Sequence, residues 1–557
     1  MVYIPKIQRI IGKKRWDTFQ HNGVVFPEPY VYKKIPLIYN GKNIILNELA
    51  EEACLFYVKY LDTDYVKSKT FNRNFFKDWK NLMDSTNKQV IETLDLCDFK
   101  FFTDFLNNER ERKALLTKVE KEKIKSDKDK KYQKFKIAFV DGKEQPIGNF
   151  LIEPPGLFLG RGCHPKAGKI KKRIQPEDIT LNLGKDAPIP QLPAGKKWGE
   201  IIHDQKAIWL ASWYDSITGK PKYVWLSDKA QFKAESDKKK FDLAKKLKKK
   251  IGQIRKSNDE FINSSDNKKR QLGTAMYFID KLALRVGNEK SKDQADTVGV
   301  TSLRIEHITL LEKPKIKLDF LGKDSIRYVK KFDVSENVFE NLSNFMDGKD
   351  RKQQLFDLIQ PSDLNEYLQS FMAELTSKVF RTFNASNLFQ RELNAIEKKF
   401  LDSSMDDITK LTLIMNEYNK ANAKVAILCN HQKNVSKGFG KQMDKIDERL
   451  KELKSKKLKY LYNKQKKIAE GKKTKSINEK IKRVSDKIKI LKEKKKTKIE
   501  MKSVSLGTSK VNYIDPRISV VFMNKFNIPP EKIFTKTLLD KFQWAIEDVK
   551  NKENWSF

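Results

Sequence analysis

The chain has 557 residues and a formal net charge of +41, from 114 Lys and Arg against 73 Asp and Glu. With 39% hydrophobic residues it can build several packed cores, which excludes a disordered chain. The cation surplus predicts a polyanionic partner, nucleic acid or an anionic membrane surface. The membrane reading is the weaker one. No apolar run approaches the ~20 residues that span a bilayer, and MVYIPKIQRIIGKKRW at the N-terminus has no signal-peptide core.

Cys54, Cys97, Cys163 and Cys429 are scattered without a CxxC pair, which argues against a disulfide framework and a zinc site and fits a reducing intracellular compartment. His21, His164, His203, His307 and His431 are equally dispersed. GRGCHPKAGK at 160–169 has the glycines and lysines of a phosphate loop without its order or spacing. Neither a nucleotide nor a bound metal is expected, and no cofactor is assigned.

In chain order, IPLIYNGKNIILN predicts a hairpin with a Gly-containing turn, and NELAEEACLFYVKYL an amphipathic helix. FNRNFFKDWKNLM is aromatic and basic together. A polar helix is predicted over about 108–135, followed by the cation-rich Pro/Gly segment EPPGLFLGRGCHPKAGKIKKRI. In TAMYFIDKLALRVGNEK, Ala275, Ile279, Leu282, Ala283 and Val286 recur at helical spacing. Gly287 reads as the stop, which places Arg285 in the last turn, where the helix dipole favours a cation. In KIKLDFLGKDSIRYVKKF, Ile316, Leu318 and Phe320 alternate as a strand, LGKDS turns, and Ile326 and Tyr328 follow in a second strand. Lys323 then sits at a hairpin tip. Arg381, in KVFRTFNAS, is expected on a helix. His431 follows the apolar VAILC near a helix C-terminus, where the dipole would favour its charged form.

Met443, Ile446, Leu450 and Leu453, then Ile477, Ile481, Val484, Ile488 and Leu491 beyond Gly471, form two narrow apolar seams in charged surroundings. They predict a basic antiparallel coiled-coil hairpin, with about 25 basic residues against 9 acidic ones. SLGTSKVNYIDPRISV at 505–520 carries Tyr513 between Asn512 and the turn pair Asp515-Pro516, and the chain closes on LLDKFQWAIEDVKNKENWSF, read as one amphipathic helix. The expected domains are 1–230, 231–434, 435–502 and 503–557.

Taken singly, each of these residues is more often structural than catalytic: a tyrosine with a satisfied hydroxyl, arginines in ion pairs, a histidine behind an apolar helix, a solvated turn lysine. Together they meet the needs of phosphotransfer without metal or ATP. Those needs are a nucleophile, cations for the non-bridging oxygens, and an acid for the leaving oxygen.

FIDKLALRVGNEK, ADTVGVTSLRIEHI, DFLGKDSIRY, KVFRTFNAS, VAILCNHQ and SLGTSKVNYIDPRI resemble, in order, the motifs of the eukaryotic type IB DNA topoisomerases. FNRNFFKDW and EPPGLFLGRGCHPKAGKIKKRI resemble that family's DNA-clamping cap, so the likeness runs from about residue 15 to 557. The resemblance implies an α+β multidomain fold. It would be a C-shaped clamp with a mixed α/β cap lobe, a mainly α catalytic lobe related to tyrosine recombinases, a coiled-coil linker and a small C-terminal domain. It implies relaxation of positive and negative supercoils through a 3′-phosphotyrosine, with Tyr513 as nucleophile. Arg285, Arg381 and His431 would hold the scissile phosphate, and Lys323 would protonate the leaving 5′ oxygen.

Arg161, Lys166, Asn288, Lys290, Asp324 and Asn512 would contact DNA. Phe158, Gly160, Arg161, Asp324 and Asn512 would line a camptothecin site. Leu159 departs from the family's RGRG and puts one cap contact in doubt. The implied partner is double-stranded DNA, held by a monomer with no membrane. The implied location is the nucleus, or a viral factory or virion if a virus encodes it. The long charged N-terminal extension of many members, which carries their import signals, is not in this sequence.

Two other readings were open. A tyrosine recombinase would place its second His and Arg as HxxR, which surrounds neither Arg381 nor His431. A non-catalytic basic scaffold would match the charge but has no use for the set of five side chains.

Overall fold

The computed structural model describes residues 14–288, 295–401, 407–433, 435–436, 438–550, 552 and 555–557. The fold is mixed α/β and multidomain. Two compact units are resolved, one built from residues 14–235 with 295–296, the other from 236–288 and the described residues from 297 onward.

The first unit has two cores. In one, strands Pro36–Tyr39 and Lys42–Ile45 pair through Asn40 and Gly41, both at positive φ, a turn that suits the twist of a tight hairpin. Helices Glu48–Val58 and Lys69–Leu82 pack beside it. Phe71, Phe75 and Trp79, one turn apart, are fully buried, so the aromatics of the basic segment are core. In the other core, a sheet runs in the order 200–202, 180–182, 209–214, 221–225.

The expected polar helix over 108–135 is two helices, Lys100–Leu115 and Lys118–Tyr132. Thr117 caps the second: its hydroxyl accepts from Glu120 N–H at 3.2 Å, and Glu120 accepts from Thr117 N–H at 2.7 Å. This reciprocal box satisfies two otherwise orphaned donors and favours a fresh start over a continuous rod.

In the second unit, helices Asn267–Lys281, Ser377–Phe400 and Asp407–Leu428 share one core with the segment after residue 503. Ile518, Val520, Val521, Phe522 and Met523 are buried in it. Helices Phe439–Ala469 and Lys475–Glu500 pack along each other, with Leu450, Leu453, Ile477 and Val484 buried in the seam. The closing segment is not one helix but two, Lys536–Lys541 and Gln543–Val549, hinged at the fully buried Phe542. Tertiary packing of that ring overrides the amphipathic period.

Asp515 and Arg517 anchor the tyrosine segment. Asp515 caps helix Pro516–Lys525 and receives the Arg517 guanidinium on both carboxylate oxygens. The same guanidinium reaches Asp242 at 2.8 Å on helix Gln231–Ile262 and Asp548 at 3.0 Å, and lies over Trp544 and Trp555. One arginine thus ties the segment to two neighbouring elements.

Candidate active site

Arg285, Lys323, Arg381, His431 and Tyr513 line one cavity of about 1000 Å³, together with Asp324 and Asn512. Five separate stretches of the second unit deliver them.

Arg285 does not end a helix. Helix Asn267–Lys281 stops four residues earlier, and Ala283 takes a left-handed φ of 51°. The Leu282 and Leu284 N–H groups both turn back to the Phe278 carbonyl. The chain leaves the helix to pair with 300–301: Val300 N–H donates to Arg285 O at 2.8 Å and Thr301 N–H to Val286 O at 2.7 Å. Gly287 is not a stop signal but a point of close approach. A Cβ there would lie 2.7 Å from the Gly299 backbone, and one on Gly299 2.5 Å from Gly287. The helix dipole therefore does not act on Arg285 as the sequence suggested.

Lys323 stands at the tip of the hairpin between Lys315–Leu321 and Arg327–Asp333, paired from Lys315↔Asp333 to Leu321↔Arg327. Gly322 N–H closes the turn on Ile326 O at 2.9 Å, with Asp324 and Ser325 both at positive φ. Inward-facing Ile316, Leu318, Phe320 and Tyr328 anchor the strands, and Lys323 is exposed.

Arg381 lies in the second turn of helix Ser377–Phe400 and is 8% exposed. Its Nη1 donates to Ala283 O at 3.1 Å and its Nη2 to Cys429 O. The guanidinium lies 5.3 Å from the Tyr513 ring centroid. Burial, and Arg285 nearby, weaken its hold on its proton relative to a solvated arginine. On the other ring contact, the His431 imidazole stacks on Tyr513 at 5.2 Å and 27°.

His431 follows helix Asp407–Leu428 after a turn in which Asn430 adopts φ 51° and His431 N–H returns to Ala426 O at 2.8 Å. The charged form expected from the helix dipole is overturned. Burial, then the Arg381 and Arg285 charges, lower the imidazole pKa to about 3. Burial and two arginines outweigh a partial charge at a helix end. The free protein's His431 is therefore neutral across the neutral range. Because the folded value lies below the unfolded 6.5, its contribution favours the folded state above pH 6.5 and is lost as pH falls toward 3. An NMR titration of the His431 ring should show no step between pH 5 and 8; a midpoint near 6.5 would contradict this.

Among the described residues, three buried polar atoms at this cavity have no protein partner: Arg381 Nε, His431 Nε2 and the Tyr328 hydroxyl. Unpaired buried donors of this kind are costly unless a ligand uses them.

Two serines absent from the sequence expectations fix the nucleophile's surroundings. Fully buried Ser386, five residues beyond Arg381, donates to Tyr513 O at 3.0 Å and accepts from Asp515 N–H at 3.0 Å. Ser509 Oγ lies 2.8 Å from His431 Nδ1. A lone serine in a helix carries no sequence signal of such a contact.

Asn288 is exposed and outside the cavity lining, and Lys290 lies outside the described residues. In the first unit, Phe158, Gly160, Arg161 and Lys166 belong to the loop between paired strands Gly156–Leu157 and Ile170–Lys171. Gly160 has φ 66°, and a Cβ on it would meet His164 at 2.5 Å, while His164 packs edge-on against Phe158 at 4.9 Å. Arg161 is exposed, and Lys166 Nζ donates to Ile217 O at 2.9 Å. Leu159 packs against the adjacent core. Among the described residues, no group of three or more His, Cys, Asp or Glu is placed to hold a metal ion.

Comparison with known proteins gives this geometry a family. Residues 14–226 match the family model described as eukaryotic DNA topoisomerase I, DNA binding fragment. Residues 229–468 match the catalytic core of eukaryotic DNA topoisomerase I, and residues 485–557 the C-terminal topoisomerase domain. The chain is 43% identical to DNA topoisomerase 1 of Caenorhabditis elegans over 97% of its length and 68% of the relative. It is 41% identical to the human DNA topoisomerase 1 over 96% of its length and 71% of that protein. Against DNA topoisomerase 1 beta of Arabidopsis thaliana the identity is 42% over 96% of the chain, which spans 59% of that relative. Matched along nearly all of its length, the chain belongs to the eukaryotic DNA topoisomerase I family.

Proposed function

We propose that this cavity holds a scissile DNA phosphate and that the chain relaxes supercoiled DNA by transient cleavage of one strand. The observation that carries the reading is the convergence of Arg285, Lys323, Arg381, His431 and Tyr513 on one cavity, with two unpartnered buried nitrogens beside the tyrosine ring. The Tyr513 hydroxyl gives up its proton to solvent water as its oxygen attacks phosphorus, forming a 3′-phosphotyrosine as the bond to the 5′ oxygen breaks. Arg285, Arg381 and His431 hold the non-bridging oxygens as negative charge grows on them. Lys323, carried on a rigid hairpin tip, delivers the proton to the leaving 5′ oxygen. Rotation about the intact strand removes supercoils of either sign. Attack by the 5′-hydroxyl reverses the chemistry with no external energy, since the ester conserves the bond.

On this reading the loop carrying Arg161 and Lys166 grips DNA, together with Asn288, Lys290, Asp324 and Asn512. The chain works as a monomeric clamp in the nucleus, and the basic helix pair 439–500 slows rotation. The net charge of +41 supports largely sequence-independent, salt-sensitive binding.

Lys323→Ala should slow cleavage of an ordinary phosphodiester by about 10²- to 10⁴-fold. Cleavage of a substrate whose 5′ bridging oxygen is sulfur should be nearly unaffected, because a thiolate leaves without a proton. Equal losses on both substrates would remove Lys323 from the acid's role. Camptothecin, proposed to contact Phe158, Gly160, Arg161, Asp324 and Asn512, should raise the amount of trapped cleavage complex; an unchanged amount would contradict that site.

A further inference from the structure

A neutral imidazole carries its one proton on either nitrogen, and His431 can donate to a phosphate oxygen only from Nε2. Its Nδ1 faces the hydroxyl of fully buried Ser509 at 2.8 Å. We infer that Ser509 is a positioning residue of this active site: its hydroxyl donates to His431 Nδ1 and thereby keeps the proton on Nε2, facing the phosphate. The inference rests on the phosphate role proposed for His431.

The chemistry of the contact favours it. A backbone carbonyl or a carboxylate at Nδ1 would demand a proton there and leave Nε2 a bare lone pair. A hydroxyl can donate, so it permits the opposite tautomer. Among the described residues Nε2 is buried without a protein partner, in the cavity it shares with Arg381 Nε. Burial, with the Arg381 and Arg285 charges behind it, keeps this ring uncharged.

Ser509 is also rigidly held. Its carbonyl accepts the N–H groups of Tyr513 and Ile514, each at 3.0 Å, and Ser505 N–H donates to His431 O at 2.8 Å. The segment that presents the nucleophile therefore also sets the proton on the histidine. The two become competent together when 505–513 is docked.

The test reads the tautomer directly. Full-length Tyr513→Phe protein, labelled with ¹⁵N-histidine and bound to a duplex oligonucleotide, should show His431 with Nε2 protonated and Nδ1 bare; His431→Gln assigns the signals among five histidines. Ser509→Ala should move the proton to Nδ1. With Tyr513 intact, Ser509→Ala should slow single-turnover cleavage by about 10- to 100-fold, the usual cost of removing the partner that orients a functional histidine, with DNA affinity unchanged. Ser509→Thr, which keeps the hydroxyl, should restore the tautomer and most of the rate. Ser509→Ala combined with His431→Gln should be no slower than His431→Gln alone. A proton on Nδ1 in the wild-type-Ser509 complex, or fully additive losses, would overturn the inference, and the first holds even if Ser509→Ala fails to fold. If His431→Gln itself cleaves normally, the phosphate role fails instead, and the tautomer still reports on Ser509.

Discussion

Arg381→Ala is expected to slow strand cleavage by about 10³-fold, the scale for removing a preorganised cation or donor from developing charge on transferring oxygen atoms. The side chain is placed for this from both ends. Two carbonyls, Ala283 O and Cys429 O, occupy its terminal nitrogens, its Nε has no protein partner among the described residues, and its guanidinium carbon lies 5.3 Å from the centroid of the nucleophile's ring. Arg381→Lys should recover little, because the single nitrogen of an ammonium cannot reach two separate carbonyls and the Nε position at once, as the planar three-nitrogen fork of arginine does. Single-turnover cleavage of a duplex oligonucleotide checks this. A near-normal rate with alanine would mean that the guanidinium is a structural strut between 283 and 429 and no more.

Arg517→Ala should destabilise the protein by about 3–5 kcal/mol, because it strands Asp515 as a buried, uncompensated carboxylate. The Asp515 side chain is fully buried and that of Arg517 is 3% exposed. The loss falls on the link that seats the tyrosine segment, since Arg517 joins Asp515 to Asp242 and Asp548. Relaxation should fall with stability, although Arg517 is not part of the cavity lining. Denaturant unfolding gives the magnitude. A loss below about 1 kcal/mol, the scale of an exposed pair, would show that the network is not carrying the docking.

The hairpin that carries Lys323 was legible because strict alternation of Ile316, Leu318 and Phe320 leaves one face for the core, and LGKDS has the composition of a turn. The tyrosine segment was legible in part: Asp515-Pro516 reads as a turn pair and instead caps a helix, while the apolar residues from Ile518 are buried as their pattern suggests. The end of the 267–281 helix was not. An alanine at positive φ has no sequence signature, and Gly287 owes its place to Gly299, a contact between chain segments. The charge state of His431 failed similarly. Its helix end is local, whereas the burial that suppresses its charge, and the arginines at 285 and 381 that add to it, come from segments far along the chain. The break at Thr117 was readable, since Thr117 and Glu120 have the spacing of a capping box. Ser386 and Ser509 could not be read, because a buried serine that orders a site is spelled like any other.

The central claim is that Tyr513 makes a reversible phosphodiester exchange with DNA. Supercoiled plasmid should be incubated with the protein in EDTA without ATP, then denatured to trap any adduct. The account predicts relaxation, protein joined to the 3′ side of the break with a free 5′-hydroxyl opposite, and loss of both in Tyr513→Phe with DNA binding retained. Tight binding with neither relaxation nor adduct, or an adduct that survives Tyr513→Phe, would contradict it.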